Sequence, residues 1–411
     1  MIQKIQLTLF TLVILTALVI SFFVLRNQRM KSVWTAPYFS AAENLSFGGD
    51  FLMDQNDIIA FDLLDNRTKE DHYVFKKSDH LTHYNYNPIG YAYLIYLARI
   101  IFPFAGHQLA IILFQGLTFV ILAILILSEL ETSRKRYLFL FLFALNPLII
   151  RFVVFNLYYF WQILVSGLIL LIYYNFRPRT YLLPLILLPF IIITRPTTIT
   201  LLPLLFLVCY QKLSFTKLAG ITAYCLVIVL LCYKPTEKNI WHSAYAGIGA
   251  YPNPYNVHLS DNDAYALFDK KMGYKLSASL GGNYYDKATI QIYQRITRDE
   301  VLRLLRINPW LFIKNAVLNT FQSFGLGYLN RWPVWINYFS AFLGFVYALT
   351  LLLRKQYFII AGIILGSISF TPYYPPIPAY MYGNYAFIIA GILLILNRSL
   401  PLVKFRKSSV S

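Results

Sequence analysis

Long apolar runs recur along the chain and alternate with short basic connections and two longer polar segments. About ten of these runs have roughly the length of a membrane-spanning helix. They lie at 6–25, 108–128, 137–154, 158–174, 180–194, 196–211, 217–234, 333–353, 356–374 and 381–397. The first run follows a single lysine and lacks a clear cleavage site, so we interpret it as a retained helix. The pattern predicts an all-α polytopic membrane protein.

Short clusters of Lys and Arg separate many of the runs, namely SRKR (133–136), FRPR (176–179), QKLSFTK (211–217), LRK (353–355) and the tail KFRK (404–407). Because basic loops favour the cytoplasm, all five are predicted to lie there. The chain then divides into a first transmembrane helix, a first extracytoplasmic segment, a helix bundle, a second extracytoplasmic segment and C-terminal transmembrane helices with a basic tail. Their predicted ranges are 1–25, 26–107, 108–234, 235–332 and 333–411.

Two further apolar stretches, 87–104 and 308–329, would disturb this arrangement if they crossed the membrane. Each begins with Asn-Pro, and we predict that both are helices lying along the outer surface. Arg26, Arg29 and Lys31 follow the first apolar run and favour the opposite orientation for it. The alternative is a reversed first helix with 87–104 as a span, which would make the first long segment cytoplasmic. The charges leave both arrangements open.

Composition agrees with a membrane protein, since 58% of residues are apolar, 13% are charged and the mean hydropathy is +0.56. The net charge of +18 comes largely from the clusters beside apolar runs, so a nucleic-acid partner is not expected. Of the 18 acidic residues, only Glu129 and Glu131 lie outside the two long polar segments. If catalytic carboxylates exist, they belong to those segments.

Several basic residues are predicted near the outer membrane interface. Arg195 lies in ITRPTTIT and Arg151 in RFVVFN, while Lys314 and Arg331 lie in or near the second apolar surface stretch. A charge at membrane depth is costly and is therefore usually either functional or extended toward the headgroups. Both readings apply to each arginine.

The order of features resembles that of the integral-membrane GT-C glycosyltransferases. It comprises a first span, an outer segment opening with PYFSAAENLSFGGDF (37–51), an Asn-Pro helix, a central Arg-Pro turn and a late outer segment, followed by YYPPIPAYMYGN (373–384) before the last span. The likeness is to the branch with bacterial aminoarabinose transferases and protein O-mannosyltransferases. It implies a GT-C-like bundle of about ten transmembrane helices with two structured extracytoplasmic loops.

The resemblance also implies a reaction. The donor would be a polyprenyl-phosphate sugar, the acceptor a glycan, lipid or protein of the cell envelope, and the location a bacterial inner (plasma) membrane with the site facing the periplasm. Such a transfer needs a carboxylate to accept a proton and cations to stabilise the departing phosphate. We therefore predict that Arg195, Arg151 and Arg331 bind the donor phosphate, with Arg195 as first choice.

The chain departs from the family pattern at two places. Thr35 and Ala36 occupy positions where family members have an acid that acts as the base, and Ala379 replaces a usual basic residue. The nearest carboxylates in sequence, and thus the predicted catalytic residues, are Glu43, Asp50, Asp54 and Asp57.

A second group of carboxylates lies in SDNDAY (260–265). Asp261 and Asp263 on an extended or turn segment could share a divalent cation, although a solvated turn explains the same letters. A metal ion is therefore a hypothesis, and no other cofactor is indicated.

Two alternatives to a transferase remain open at this point. The missing acid near Thr35 favours a non-catalytic GT-C-like membrane subunit. A lipid-linked glycan transporter or flippase is the other alternative, but ionisable residues are nearly absent from the predicted span interiors.

Overall fold

The computed structural model describes residues 2–25, 35–45, 48–64, 73–84, 88–174, 182–211, 213–233, 240–273 and 287–396. Most of these residues are helical, as predicted. The first long polar segment (26–107), which we call the first acidic segment, also contains two short strands. They are β1 (Leu52–Met53) and β2 (Thr82–His83), which pair antiparallel. The FRPR cluster, the basic tail and the basic residues directly after the first helix lie outside the described residues.

The helices of the first half, through residue 174, are α1 (Ile2–Val24), α2 (Ala36–Glu43), α3 (Gln55–Leu63), α4 (Gly90–Ile101), α5 (His107–Glu129), α6 (Ser133–Phe139), α7 (Pro147–Val153) and α8 (Gln162–Tyr174). A π-helical turn, Leu140–Ala144, follows α6, and a 3₁₀ turn, Tyr158–Trp161, precedes α8.

The remaining helices are α9 (Leu182–Thr194), α10 (Leu202–Tyr210), α11 (Phe215–Cys232), α12 (Ile240–Ile248), α13 (Asp261–Met272), α14 (Lys287–Ile307), α15 (Pro309–Gln322), α16 (Val334–Leu353), α17 (Tyr357–Ser367), α18 (Pro378–Met381) and α19 (Asn384–Leu396). A 3₁₀ turn, Pro196–Leu201, joins α9 to α10.

Four helices are long and apolar enough to cross a membrane within the described part of the chain, namely Ile5–Val24, His107–Glu129, Phe215–Cys232 and Val334–Leu353. The bent pair Ser133–Ala144 and Pro147–Val153, with an angle of 58°, could supply a fifth span. An all-α membrane architecture is therefore supported. The other five predicted spans correspond to apolar helical segments of fewer than 18 residues, so a total of ten stays a prediction.

Proline explains where one of the apolar stretches is divided. The residue before a proline is pushed away from helical dihedrals, and Arg195 accordingly has φ −134° and ψ 81° between α9 and the 3₁₀ turn. The apolar stretch 182–210 is thereby split into two shorter helices with an arginine at the break. The break fixes the position of the Arg195 side chain.

Helix α4, which covers most of the predicted surface stretch 87–104, stays at one end of the bundle. Its first residue, Gly90, lies against the backbone of Thr194 at the end of α9, and a Cβ there would be 2.2 Å from the Thr194 nitrogen. Near its other end, Arg99 approaches Glu43 of α2. The helix has 12 residues and is about 18 Å long. One end of α4 therefore lies against the end of α9, next to Arg195, and the other lies beside Glu43 of the first acidic segment.

The described part of the second long polar segment (235–332), which we call the second acidic segment, packs at the same end of the bundle as the first. Asn319 of α15 donates a hydrogen bond to the Thr371 carbonyl at 3.1 Å, and Tyr328 donates its N–H to Pro376 at 2.8 Å. A Cβ on Gly49 of the first segment would lie 2.8 Å from the backbone of Cys232, where α11 ends before the second segment. We call this end of the bundle, which holds the described residues of 35–84 and 240–330, the acidic end.

The opposite end carries the SRKR cluster. Arg136 donates a hydrogen bond from Nη1 to the Gln6 side chain at 3.1 Å, and Lys135 pairs with Glu131 at 2.9 Å. The start of α1 therefore lies beside the basic cluster, and α1 runs from that end toward the acidic end. Which side of a membrane each end faces stays a prediction from the basic clusters.

The close approach at Gly90 gives a test of the packing. Gly90→Ala should lower the free energy of unfolding by about 1–3 kcal/mol, because the new methyl group meets backbone that has no flexible side chain to displace. Thermal unfolding of the detergent-solubilised chain measures the change. Gly116→Ala in α5 is the matched control, since no heavy atom lies within 4 Å of its Cβ position. Equal midpoints for both variants would contradict the contact.

Candidate functional site

The centre of the acidic end is the guanidinium of Arg195, surrounded by tyrosine rings. Its central carbon lies 4.6 Å from the ring centre of Tyr380, 5.2 Å from Tyr159 and 5.5 Å from Tyr158. Tyr38 of α2 extends this group, with its ring 6.0 Å from that of Tyr158. We call Tyr158, Tyr159 and Tyr380 the tyrosine cage.

Within the described residues, Arg195 has no carboxylate in an ion pair with it, and its Nε is buried without a hydrogen-bond partner. Cation–π contacts contribute about 2 kcal/mol or more each when desolvated. Removing an ion from water costs several kcal/mol even after relaxation. The cage offsets part of this cost but supplies no counter-charge, so the site is suited to bind an anion.

The other two arginines predicted to bind phosphate lie outside the cage. Arg151, in the last turn of α7, is exposed, and its guanidinium carbon lies 5.1 Å from the Phe155 ring centre. Arg331 is exposed in the connection between α15 and α16. Lys314 of α15 contacts the Pro252 carbonyl at 3.4 Å. Their phosphate-binding roles stay predictions, and the structure gives them no shared centre with Arg195.

Of the four carboxylates predicted to be catalytic, Glu43 lies in a network with a histidine and an arginine. Its Oε1 lies 2.7 Å from Nε2 of the buried His107 and 3.9 Å from Nε of Arg99. The hydrogen bond with His107 holds the pKa of Glu43 below its usual value, and the Arg99 charge acts in the same direction against the effect of burial. Glu43 therefore ties α2 to the start of α5.

The other three lie near the two short strands. Asp54 is the N-cap of α3 and accepts the Asn56 N–H at 2.8 Å. Burial acts to raise its pKa, but hydrogen bonds from Ser78 and the first turn of α3 outweigh that effect and lower it. Asp57 accepts from the Tyr73 hydroxyl, and Asp50 is half-buried beside β1. Their catalytic roles stay predictions, although Asp54 and Asp57 already have structural hydrogen bonds.

The segment SDNDAY begins a helix, so the expectation of an extended or turn segment is wrong. Ser260 caps α13 by accepting the Asn262 N–H at 3.1 Å. Asp261 and Asp263 bond to different histidines. Asp261 lies 3.0 Å from His242, and Asp263 lies 3.1 Å from His258. Within the described residues, no three His, Cys, Asp or Glu side chains are grouped to hold a metal ion. We therefore leave a shared cation out of the proposed function.

His242 links Asp261 to a third side chain. Its Nδ1 lies 2.5 Å from the Tyr293 hydroxyl, and its Nε2 lies 3.0 Å from Oδ1 of Asp261. An ionised carboxylate can only accept, so Nε2 carries the proton, and in the neutral ring Nδ1 then accepts from the Tyr293 hydroxyl. The hydrogen bond from His242 lowers the pKa of Asp261 against the effect of burial. We call Asp261, His242 and Tyr293 the hydrogen-bonded triad.

The triad and the tyrosine cage are electrostatically connected through Tyr380. Burial raises the pKa of Tyr380 to about 12; the Arg195 charge opposes this increase and the Asp261 charge adds to it. The charges of Arg195 and Asp261 therefore both act on Tyr380 of the 373–380 turn.

Sequence reasoning identified Arg195 and Asp261 but missed their partners. Tyr158 and Tyr380 are more than 200 positions apart, and Tyr293 is separated from His242 by 51 positions. No short spacing connects these residues. The available signals were the adjacent tyrosines at 158–159 and the tyrosine-rich turn at 373–384, which composition alone assigns to the membrane interface.

The Glu43 network predicts a pH-dependent contribution to stability. A lowered carboxyl pKa stabilises the fold above the ordinary pKa, and this contribution disappears as the pH falls through the lowered value. Glu43→Gln should therefore reduce the free energy of unfolding at pH 7 by about 1–3 kcal/mol. The deficit should begin to shrink near pH 4, where the unfolded chain takes up a proton at Glu43 before the folded chain does.

Chemical unfolding in detergent at the two pH values measures this difference. Glu131→Gln is the control, because Glu131 is highly exposed in its pair with Lys135 and such pairs contribute little. A deficit of equal size at both pH values would contradict the assigned role of the Glu43 charge.

Comparison with known protein families, characterised proteins and solved structures finds no match for this chain. The functional argument therefore rests on the chemistry of the acidic end: an uncompensated arginine in a tyrosine cage beside a carboxylate held by a buried histidine.

Proposed function

We propose that the chain is a membrane glycosyltransferase that moves a sugar from a polyprenyl-phosphate donor to a glycan, lipid or protein of the cell envelope. The single observation that carries the proposal is the Arg195 guanidinium, which lies in the tyrosine cage without a carboxylate partner among the described residues. Reaction would take place at the acidic end, facing the periplasm of a bacterial inner membrane.

A phosphate diester suits this site on two grounds. A guanidinium forms strong, often bidentate, hydrogen bonds with phosphate oxygens, which would supply the missing counter-charge. The same contact strengthens when the sugar departs, because the phosphate then gains a second negative charge. Aromatic rings around the guanidinium exclude water and make that interaction stronger.

The segment that follows Arg195 in the chain lines an apolar groove. Its lining belongs to the 3₁₀ turn that follows Arg195 and to α10, and consists of Ile199, Leu202, Pro203, Phe206, Leu207 and Tyr210. A polyprenyl chain is a long hydrocarbon, so a groove continuous in sequence with the cationic site matches both parts of one lipid phosphate. We propose that the hydrocarbon chain of the donor lipid binds in this groove.

One observation favours a second candidate function. Thr35 and Ala36, where the resembling family has its acid, are buried at the start of α2. A non-catalytic membrane subunit would retain lipid-phosphate binding at Arg195 but would not transfer sugar. Binding and transfer must therefore be measured separately.

Replacement of Arg195 tests the binding half of the proposal. Arg195→Met preserves much of the side-chain volume and removes the charge, and it should weaken binding of farnesyl phosphate about 10–100-fold, because a charge-assisted phosphate contact is lost. Arg195→Lys should bind farnesyl phosphate with an affinity between those of the wild type and Arg195→Met, since lysine keeps the charge but not the planar fork. Calorimetric titration of the full chain in detergent gives the affinities.

Two controls make the result specific. Arg354→Met removes an exposed arginine that follows α16 and should leave farnesyl phosphate binding unchanged. Farnesol, which lacks the phosphate, should not distinguish the wild type from Arg195→Met. Equal farnesyl phosphate affinity in the wild type and Arg195→Met would remove Arg195 from the site.

A further inference from the structure

We propose that Asp261 accepts the proton of the acceptor hydroxyl and that His242 is its positioning residue. This inference rests on the proposed function and deepens it, since it assigns the proton acceptor to the second acidic segment. The observation that carries it is the hydrogen-bonded triad, which holds an exposed carboxylate beside a buried histidine of α12, the helix whose Gly247 lies against the Tyr373 backbone of the 373–380 turn.

The triad has the construction of an oriented base. His242 is buried, with 7% of its surface exposed, whereas the Asp261 side chain is 60% exposed. The three members come from α12, α13 and α14, so the carboxylate is fixed by packed helices. His242 bonds to Oδ1 of Asp261. The second carboxylate oxygen does not bond to the histidine and can accept a hydrogen bond from a hydroxyl.

The position of Asp261 relative to Arg195 suits a displacement reaction. Tyr380 lies against the Arg195 guanidinium, and the Asp261 charge acts on both Tyr380 and Tyr374. A sugar lying across these rings would have its phosphate toward Arg195 and its opposite face toward Asp261. Base and leaving group would then lie on opposite sides of the anomeric carbon.

The chemical step balances without any additional reactant. The acceptor O–H proton moves to the Asp261 carboxylate while the acceptor oxygen forms a bond to the anomeric carbon. The bond between that carbon and the donor phosphate oxygen breaks, and its electron pair remains on the lipid phosphate facing Arg195. The products are the glycosylated acceptor with inverted configuration and the lipid monophosphate, and Asp261 later releases its proton to water.

Three other described carboxylates, Glu43, Asp263 and Asp57, fit this role less well. Glu43 is paired with both His107 and Arg99, and Asp263 accepts from the backbone and the ring of His258. Asp57 accepts from Tyr73 and the Lys76 N–H. Each of these contacts holds chain segments together. The Asp261 contact instead joins the carboxylate to a buried histidine and leaves the carboxylate exposed.

Several titratable groups bear on the pH dependence. These groups come from four elements around Asp261. They are His242 and Tyr245 of α12, Asp263 and Tyr265 of α13, Tyr293, Glu300 and Arg303 of α14, and Tyr374 and Tyr380 of the 373–380 turn. Of these, His242 is the one in direct contact with Asp261 and gives the largest effect on it.

The test measures release of farnesyl phosphate from the farnesyl-phosphate esters of glucose, mannose and arabinose, with glycerol as acceptor and the full chain in lipid nanodiscs. Asp261→Asn should lower kcat at least 100-fold, the usual scale for a lost general base, and leave farnesyl phosphate affinity unchanged. Asp299→Asn is the matched control, because Asp299 is equally exposed at 59% and pairs with Arg298 on the surface of α14.

His242 variants separate positioning from a purely structural role. His242→Phe should lower kcat more than it changes KM, and should move the acidic limb of the pH profile to higher pH, since the hydrogen bond that lowers the Asp261 pKa is lost. His242→Gln can still donate to Asp261 and should restore much of the rate. A merely structural histidine would leave the position of the acidic limb unchanged.

Each outcome has a defined meaning. Wild-type release that survives in Asp261→Asn would overturn the assignment of Asp261 while the proposed function stands. No release by the wild type from any of the three esters would count against the proposed function and this inference together. Release that requires added Mg²⁺ or Mn²⁺, and is lost equally in Asp261→Asn and Asp263→Asn, would assign a shared cation instead of a base.

Discussion

The acidic end of the bundle depends on one electrostatic constraint, the uncompensated charge of Arg195. A guanidinium removed from water needs an anion or an equivalent set of partners, and the three tyrosine rings supply only part of that stabilisation. A protein that simply needed a stable turn after α9 could use an apolar residue there. The retained charge therefore points to an anionic ligand at membrane depth.

The surrounding fold is organised to hold that charge in one place. Pro196 breaks the apolar stretch so that Arg195 leaves the helix, and Gly90 lets α4 approach the backbone immediately before it. Tyr158 and Tyr159 come from the turn before α8, and Tyr380 comes from the short helix before the last apolar helix. Four separate parts of the chain thus determine one cationic site, which limits its freedom to move.

The hydrogen-bonded triad gives the same end of the molecule a negative group. Its histidine is buried and its carboxylate is exposed, and the two charged side chains that act on Tyr380, Arg195 and Asp261, are held by separate sets of helices. This separation suits a reaction in which one group must stabilise a leaving phosphate and the other must take a proton.

Much of this architecture was predictable from sequence, because apolar runs and Lys/Arg clusters report directly on membrane insertion. Arg195 was predictable for the same reason, as a charge where charge is costly. Span lengths were less predictable, since the predicted spans 180–194, 196–211 and 356–374 correspond to apolar helical segments of fewer than 18 residues. The helix beginning at Asp261 was missed because Asp and Asn favour turns and helix starts alike. The triad required tertiary structure, as α12 and α14 meet only after folding.

The arrangement requires residues 35–84 and 240–330 to share the outer face of the membrane, and sided cysteine labelling measures this most directly. The native Cys209, Cys225 and Cys232 would be replaced by alanine, and single cysteines introduced at the exposed positions Lys77, Asn262 and Ser133. The account predicts that an impermeant maleimide labels Lys77→Cys and Asn262→Cys on intact cells, and Ser133→Cys only after permeabilisation. Labelling of the first two from different sides would contradict it.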